Sequence, residues 1–186
     1  ARCRHRAAAG PGAGGMNAHP LSEALARATL VHPRERLLAE IERMGAEITR
    51  DYAGRRPVFL TVMHGGQITG ALLAFDYLHA TRYRSSTSGG ALQWFRQPRV
   101  PMAGRDVLLV DDILDEGHTI SAIRAHCEMQ GARDVRVAVL CEKRHGRCLP
   151  GLKADYVGVE VPDRYVFGFG MDYYEQGRNL PAIYAV

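Results

Sequence analysis

The sequence predicts an α/β fold built on a parallel sheet, and three observations predict it. Short apolar runs of strand length alternate with segments whose apolar residues recur at helical spacing. The run V-L-L-V ends in paired carboxylates, Asp111 and Asp112, and a second pair, Asp115 and Glu116, leads through Gly117 into the next helical segment. No repeat or linker divides the chain after Met16, so one domain over residues 16–186 is expected, with right-handed crossovers between its strands.

The elements follow in order. Residues 1–15, A-R-C-R-H-R-A-A-A-G-P-G-A-G-G, are low in complexity and are expected to be a disordered tail or an upstream segment outside the fold. L-S-E-A-L-A-R-A and P-R-E-R-L-L-A-E-I-E-R-M-G-A-E-I-T-R-D-Y read as helices, with Pro33 in the first turn of the second, where its missing N–H costs nothing. Leu37, Leu38, Ile41, Met44 and Ile48 are expected to face the core. Pro57 to Met63 reads as a strand, His64 to Gln67 as a tight turn, and Ile68 to Leu78 as a helix. The Ser/Gly-rich stretch from Arg82 to Gln97 is expected to be a mobile loop or a frayed hairpin. Further strands are expected at Asp106–Val110, Val135–Leu140 and in Y-V-G-V-E-V, with a helix through S-A-I-R-A-H-C-E-M ending near Gly131. The terminal pieces are expected to form a small subdomain over one edge of the sheet.

Composition narrows the class. The chain of 186 residues is long enough for one sizeable core. It has nothing near the ~18 consecutive apolar residues of a membrane span, and no signal-peptide core follows the first arginines, so a cytoplasmic protein with no membrane partner is expected. The formal charge is +4, but taking away Arg2, Arg4 and Arg6 leaves +1, which argues against a nucleic-acid partner. The stretch C-E-K-R-H-G-R-C places a single histidine between Cys141 and Cys148, a poor zinc pattern, so reduced structural thiols are expected of the four cysteines.

The chemistry concentrates after the second strand. Ligands of open α/β sheets bind at the carboxyl ends of the strands, where Asp111 and Asp112 fall. The loop D-E-G-H-T opens a helix, so its backbone N–H groups and the helix dipole make an anion site, with Gly117 permitting close approach and Thr119 adding a hydroxyl. Carboxylates beside an anion site are compatible if the ligand is anionic at one end and carries hydroxyls or a bound metal at the other; a sugar phosphate with Mg²⁺ fits both. Three alternatives compete. A ligand-free acidic cluster leaves the strand–loop–helix spacing unexplained. A nucleotide-binding fold lacks both G-x-x-x-x-G-K-[ST] and G-x-G-x-x-G. A signalling receiver domain lacks a phospho-accepting Asp in C-E-K-R, and its acidic pair should lie near the start.

The stretch V-L-L-V-D-D-I-L-D-E-G-H-T resembles the motif of the type I phosphoribosyltransferases. M-H-G-G, E-K-R and P-D-R-Y-V-F-G-F-G-M-D-Y-Y-E-Q-G-R-N-L resemble its hypoxanthine-guanine branch, in matching order from about Phe59 onward. The resemblance implies a type I fold with helices on both faces of the sheet and a hood from the N- and C-terminal segments. It implies Mg²⁺, a 6-oxopurine base and phosphoribosyl pyrophosphate as ligands, and a homodimer or homotetramer. Asp111 and Asp112 would hold the ribose hydroxyls, directly or through the metal, Asp172 would be the second metal-site carboxylate, and Asp115 the general base toward N7 of the purine. Asp115, Glu116, Gly117, His118 and Thr119 would form the 5-phosphate loop, while His64, Gly65 and Arg178 would meet pyrophosphate. Lys143 would donate to the oxygen at C6 of the base, Tyr165 would stack on its ring, and the backbone of Val166 would meet its edge. Residues 82–97, with Tyr83, would form a lid that keeps water from the sugar cation.

Several positions depart from the family pattern. His64 stands where Lys is common, and Arg82 where Ser is usual. Glu116 and His118 replace frequent Thr and Lys; Glu116 is then expected to face solvent or an arginine, with His118 supplying part-time positive charge. A regulator that binds phosphoribosyl pyrophosphate without turnover is the alternative within the same fold.

Overall fold

The computed structural model describes residues 20–62 and 98–186, together with the backbone of 75–82 and 92–96. Twelve elements are assigned among these residues. They are α1 (Leu21–Arg27), β1 (Thr29–His32), α2 (Arg34–Asp51), β2 (Val58–Val62), β3 (Phe75–Arg82) and β4 (Leu92–Arg96). There follow β5 (Asp106–Leu114), α3 (His118–Met129), β6 (Asp134–Lys143), β7 (Tyr156–Val161), β8 (Val166–Phe167) and β9 (Ile183–Ala185). The main sheet has the order β4-β3-β2-β5-β6-β7, parallel throughout except for β4, which pairs antiparallel with β3.

Period-two alternation divides the side chains of the central strands between two helices. Val107, Leu109, Val135, Val137 and Val139 pack with Ile120, Ile123 and Cys127 of α3 on one face. Leu108, Val110 and Ala138 pack with Met44, Ile48 and Tyr52 on the other, where α2 lies. Helices therefore cover both faces, as expected. The α2 stripe differs from the expected one at two positions: Leu38 is exposed, and Glu40 is buried in line with Leu37 and Met44. Arg36 and Arg43 neutralise Glu40 at 2.7 and 2.6 Å, and Arg43 also donates to the carbonyl of Val157 at 2.6 Å, tying α2 to β7.

Strand β1 pairs with β9 and β9 with β8, all antiparallel, so both ends of the described chain meet in one small sheet. Ala24, Phe167 and Tyr173 are buried beneath it with Leu21, Leu180 and Tyr184 packed around them. This is the hood.

Some element boundaries differ from the sequence reading. Residues 75–78, expected at the end of a helix, lie in β3, paired in parallel with 59–62 of β2. A short run such as L-L-A-F-D-Y-L has no period that separates strand from helix, and the neighbouring strand decides it. Part of the expected loop is strand β4, whose Leu92 pairs with Arg82; this is the hairpin form of that expectation, and 83–91 lie outside the described residues. Strands β5 and β6 each run beyond their apolar cores, because their mutual ladder continues to Leu114 opposite Glu142.

Gly168 closes the turn into the hood with φ at 96°, and a Cβ there would stand 2.1 Å from the carbonyl oxygen of Ala182. Gly168→Ala is expected to lower stability by at least ~2 kcal/mol, from backbone strain plus the clash, measured by denaturant unfolding. A change within ~0.5 kcal/mol would contradict this packing.

Candidate active site

The β5–β6 ladder sets the geometry. Asp111 and Asp112 are still strand residues, with Asp111 opposite Val139, and the backbone N–H of Asp112 donates to Oδ1 of Asp111 at 2.9 Å. Burial pushes the Asp111 carboxyl well above the usual carboxylate range, and the charge of Asp112 adds to that. Burial raises Asp112 too, against the lowering pull of local hydrogen bonds and of the Arg178 charge. Such a pair favours a cation or hydroxyl donors as neighbours.

Asp115 follows at the start of the loop and has a different environment. Lys143, the last residue of β6, donates to its Oδ2 at 2.7 Å, and Nε2 of His145 lies 2.5 Å from its Oδ1. Partial burial pushes the Asp115 carboxyl up, but the hydrogen bonds from Lys143 and His145, with the charge of Lys143, outweigh it, so the group sits below its ordinary value. Glu116 is exposed; its carboxylate lies 3.6 Å from Nε2 of His118 and 4.0 Å from Nε of Arg147. It points toward an arginine, as expected.

Gly117 caps α3 with φ at 81°. The sequence suggests that this glycine clears room for a ligand, but its Cβ position is filled by Leu152, whose Cδ2 lies 2.2 Å away. What requires glycine is the left-handed backbone that turns the chain into the helix. The helix opens at His118 and Thr119, whose N–H groups belong to a first turn with no intrahelical acceptors.

The C-terminal site residues form a second group. Arg178 donates through Nη2 to Oδ1 of Asp172 at 2.6 Å and through Nη1 to the carbonyl of Gly170 at 2.7 Å. The backbone N–H of Glu175 donates to Oδ2 of Asp172 at 2.9 Å, in a turn where Tyr174 and Glu175 both take positive φ. Tyr165 donates from its hydroxyl to the carbonyl of Asp172 at 3.2 Å, and its exposed ring lies parallel to Tyr174 with centroids 6.0 Å apart. Val166 is buried in β8, an edge strand of the hood sheet.

The structure thus joins Asp115 directly to Lys143, and Asp172 to Arg178 and Tyr165, with the charge of Arg178 reaching Asp112. His64, Gly65 and Tyr83 lie outside the described residues. His145 is the contact that sequence reading missed. In an extended chain, residues 143 and 145 share a side, so K-R-H following a strand carried the signal. Cys127, Cys141 and Cys148 are free thiols; burial pushes Cys127 up to about 11. Among the described residues no group of three or more His, Cys, Asp or Glu is placed to hold a metal alone, and no helix is long and apolar enough to cross a membrane.

Comparison with known proteins fits this arrangement. The family model described as phosphoribosyl transferase domain matches residues 29–176. The chain belongs to the phosphoribosyltransferase family. It is 31% identical over 163 residues to a hypoxanthine-guanine phosphoribosyltransferase of Streptococcus mutans, covering 83% of this chain and 90% of that one. A solved hypoxanthine-guanine phosphoribosyltransferase of Bacillus anthracis superposes with a TM-score of 0.79 at 28% identity, covering 85% of this chain and 98% of the other. A hypoxanthine phosphoribosyl transferase of Trypanosoma cruzi, whose structure addresses the role of its C-terminal region in oligomeric state and activity, gives 0.78 at 26%, covering 85% and 90%.

The lowered Asp115 carboxyl makes a pH prediction. A group depressed in the folded state stabilises the fold above its unfolded value and loses that contribution as pH falls through the folded one. In a ¹³C titration Asp115 should titrate below the ordinary carboxylate range, and Lys143→Met should raise it. Its stability deficit relative to the unmodified protein should shrink in acid. An ordinary Asp115 titration in the unmodified protein would contradict the contact.

Proposed function

We propose that the chain is a purine-salvage phosphoribosyltransferase that joins hypoxanthine or guanine to phosphoribosyl pyrophosphate, giving IMP or GMP and pyrophosphate. The observation that carries this reading is the Asp115 carboxylate, held by Lys143 at the mouth of a strand–loop–helix anion site. In the reaction the bond from C1 of the ribose to pyrophosphate breaks as a bond to the purine forms. Positive charge builds on the sugar and negative charge on the leaving group. Asp115 would take the proton from N7, and Lys143 would turn from Asp115 to the oxygen at C6 of the base. The N–H groups opening α3, with Thr119, would hold the 5-phosphate, while Arg178, His64 and Gly65 would meet pyrophosphate. Tyr165 would cover the base ring, the outer backbone of Val166 would meet its edge, and the segment 82–97 with Tyr83 would exclude water.

Mg²⁺ fits the donors present. Carboxylates are hard oxygen ligands, and Mg²⁺ commonly binds through one or two of them plus substrate phosphates, which suits the neighbouring Asp111 and Asp112 at the end of β5. Asp111 and Asp112 would hold it on the ribose side, Asp172 would be the carboxylate of the second metal site, and the metal when bound would neutralise charge on the departing pyrophosphate. Free thiols, those of Cys127 and Cys141 buried, and a charged substrate support a cytoplasmic setting, and the resemblance to the hypoxanthine-guanine branch supports a homodimer or homotetramer.

One panel tests the reading: hypoxanthine, guanine and xanthine, each with phosphoribosyl pyrophosphate, with and without Mg²⁺. Nucleotide should form only with the metal, and binding without product would identify a regulator instead. Asp115→Asn should lower turnover by ~10²–10⁴ with the fold intact, in line with loss of a general base. Full turnover in that variant would remove Asp115 from the role.

A further inference from the structure

Asp115 has two donors, and the reaction needs one of them elsewhere. If Lys143 moves to the oxygen at C6 of the base, Oδ2 of Asp115 is released toward N7. Nothing in that exchange calls on His145, which faces the other oxygen, Oδ1.

His145 is built to stay. Its side chain is 3% exposed, and its Nδ1 accepts the backbone N–H of Arg147 at 2.9 Å. An Nδ1 that accepts leaves the ring proton on Nε2, so Nε2 is the donor to Oδ1. The loop carrying the ring is fixed in turn. The Arg147 guanidinium grips Asp163 with two bonds of 2.7 and 2.6 Å, and the N–H of Arg144 donates to the carbonyl of Val161 at 2.9 Å. Leu149 donates to the carbonyl of Glu116 at 3.0 Å, tying the same loop to the phosphate loop.

We infer that His145 is a positioning residue for the base: its Nε2–H holds Oδ1 of Asp115 throughout the cycle, so that the carboxylate presents Oδ2 to N7 when Lys143 leaves. The inference rests on the reading of Asp115 as the base. A carboxylate with one released oxygen and no second donor would rotate about its side-chain torsions and meet N7 in few of its orientations, whereas a fixed donor preserves the reactive one. His145 also favours the ionised form of Asp115, the form that can accept a proton. The other groups acting on this locus are Lys143 from β6, Arg147 and Cys148 from the following loop, Glu116 beside Asp115, and Asp163 beyond β7.

The test uses the full chain with His145→Ala, His145→Gln and Asp115→Asn, read by single-turnover nucleotide formation so that product release does not mask chemistry. His145→Ala should slow the chemical step by about ten- to a hundredfold, the usual effect of losing a hydrogen bond to a charged group, with affinity for phosphoribosyl pyrophosphate unchanged. The acidic limb of its rate profile should move to higher pH, since Asp115 loses a donor that favours its anion. His145→Gln, whose amide nitrogen reaches the position of Nε2, should recover most of the rate and the limb. An unshifted limb with an undiminished rate in His145→Ala, or a Gln variant as slow as the Ala variant, would overturn the inference. If His145→Ala fails to fold, ¹⁵N spectra of the unmodified protein decide: Nε2–H is expected, and an Nδ1–H tautomer overturns it. A fully active Asp115→Asn would instead refute the base assignment, whereas an inactive one beside an unimpaired His145→Ala would refute the role of His145 alone.

Discussion

The parallel ladder between β5 and β6 continues past the apolar core to Leu114 and Glu142, and the geometry of the candidate site depends on that continuation. Had pairing stopped at Val110, the acidic residues would sit on a loose connection. Instead Asp111 and Asp112 are fixed on the strand, Asp115 leaves it one residue after the last pair, and Lys143 ends the partner strand beside it. Backbone hydrogen bonding thus determines which carboxylate meets which cation. Helices α2 and α3 hold the two strands from opposite faces, through Leu108 and Val110 on one side and Val107 and Leu109 on the other.

Within that frame the carboxylates separate by environment. Burial pushes up both Asp111 and Asp112, and the charge of Asp112 adds to the rise at Asp111, which suits the pair to a cation or to hydroxyl groups. Asp115 is held down by Lys143 and His145 against the effect of burial, which suits it to remaining ionised until a substrate proton arrives. Glu116 is exposed, with its carboxylate between the His118 ring at the helix opening and the Arg147 guanidinium.

Much of this was legible in the sequence. V-L-L-V-D-D-I-L-D-E-G-H-T gave the strand, the loop and the helix start, because a buried parallel strand reads as an apolar run and a glycine must take the left-handed turn at 117. The extent of β5 and β6 was not legible, since their last residues are polar and owe their strand conformation to each other rather than to any apolar period. Residues 75–78 misled because their short apolar run fits a helix as well as a strand, and pairing with β2 decides between them. His145 escaped notice because its role depends on a contact across 30 residues to Asp115, and in sequence it is only a lone histidine between two cysteines. Leu38 and Glu40 exchanged places because two arginines make a buried glutamate tolerable.

Asp115 is held by two donors in the free protein, and substrate is expected to take one of them. The most direct measurement is a crystal structure of the complex with IMP. Lys143 Nζ is expected beyond hydrogen-bond reach of Asp115 and on the oxygen at C6, with His145 Nε2 still on Oδ1. Lys143 still bonded to Asp115 with the purine in place would contradict it.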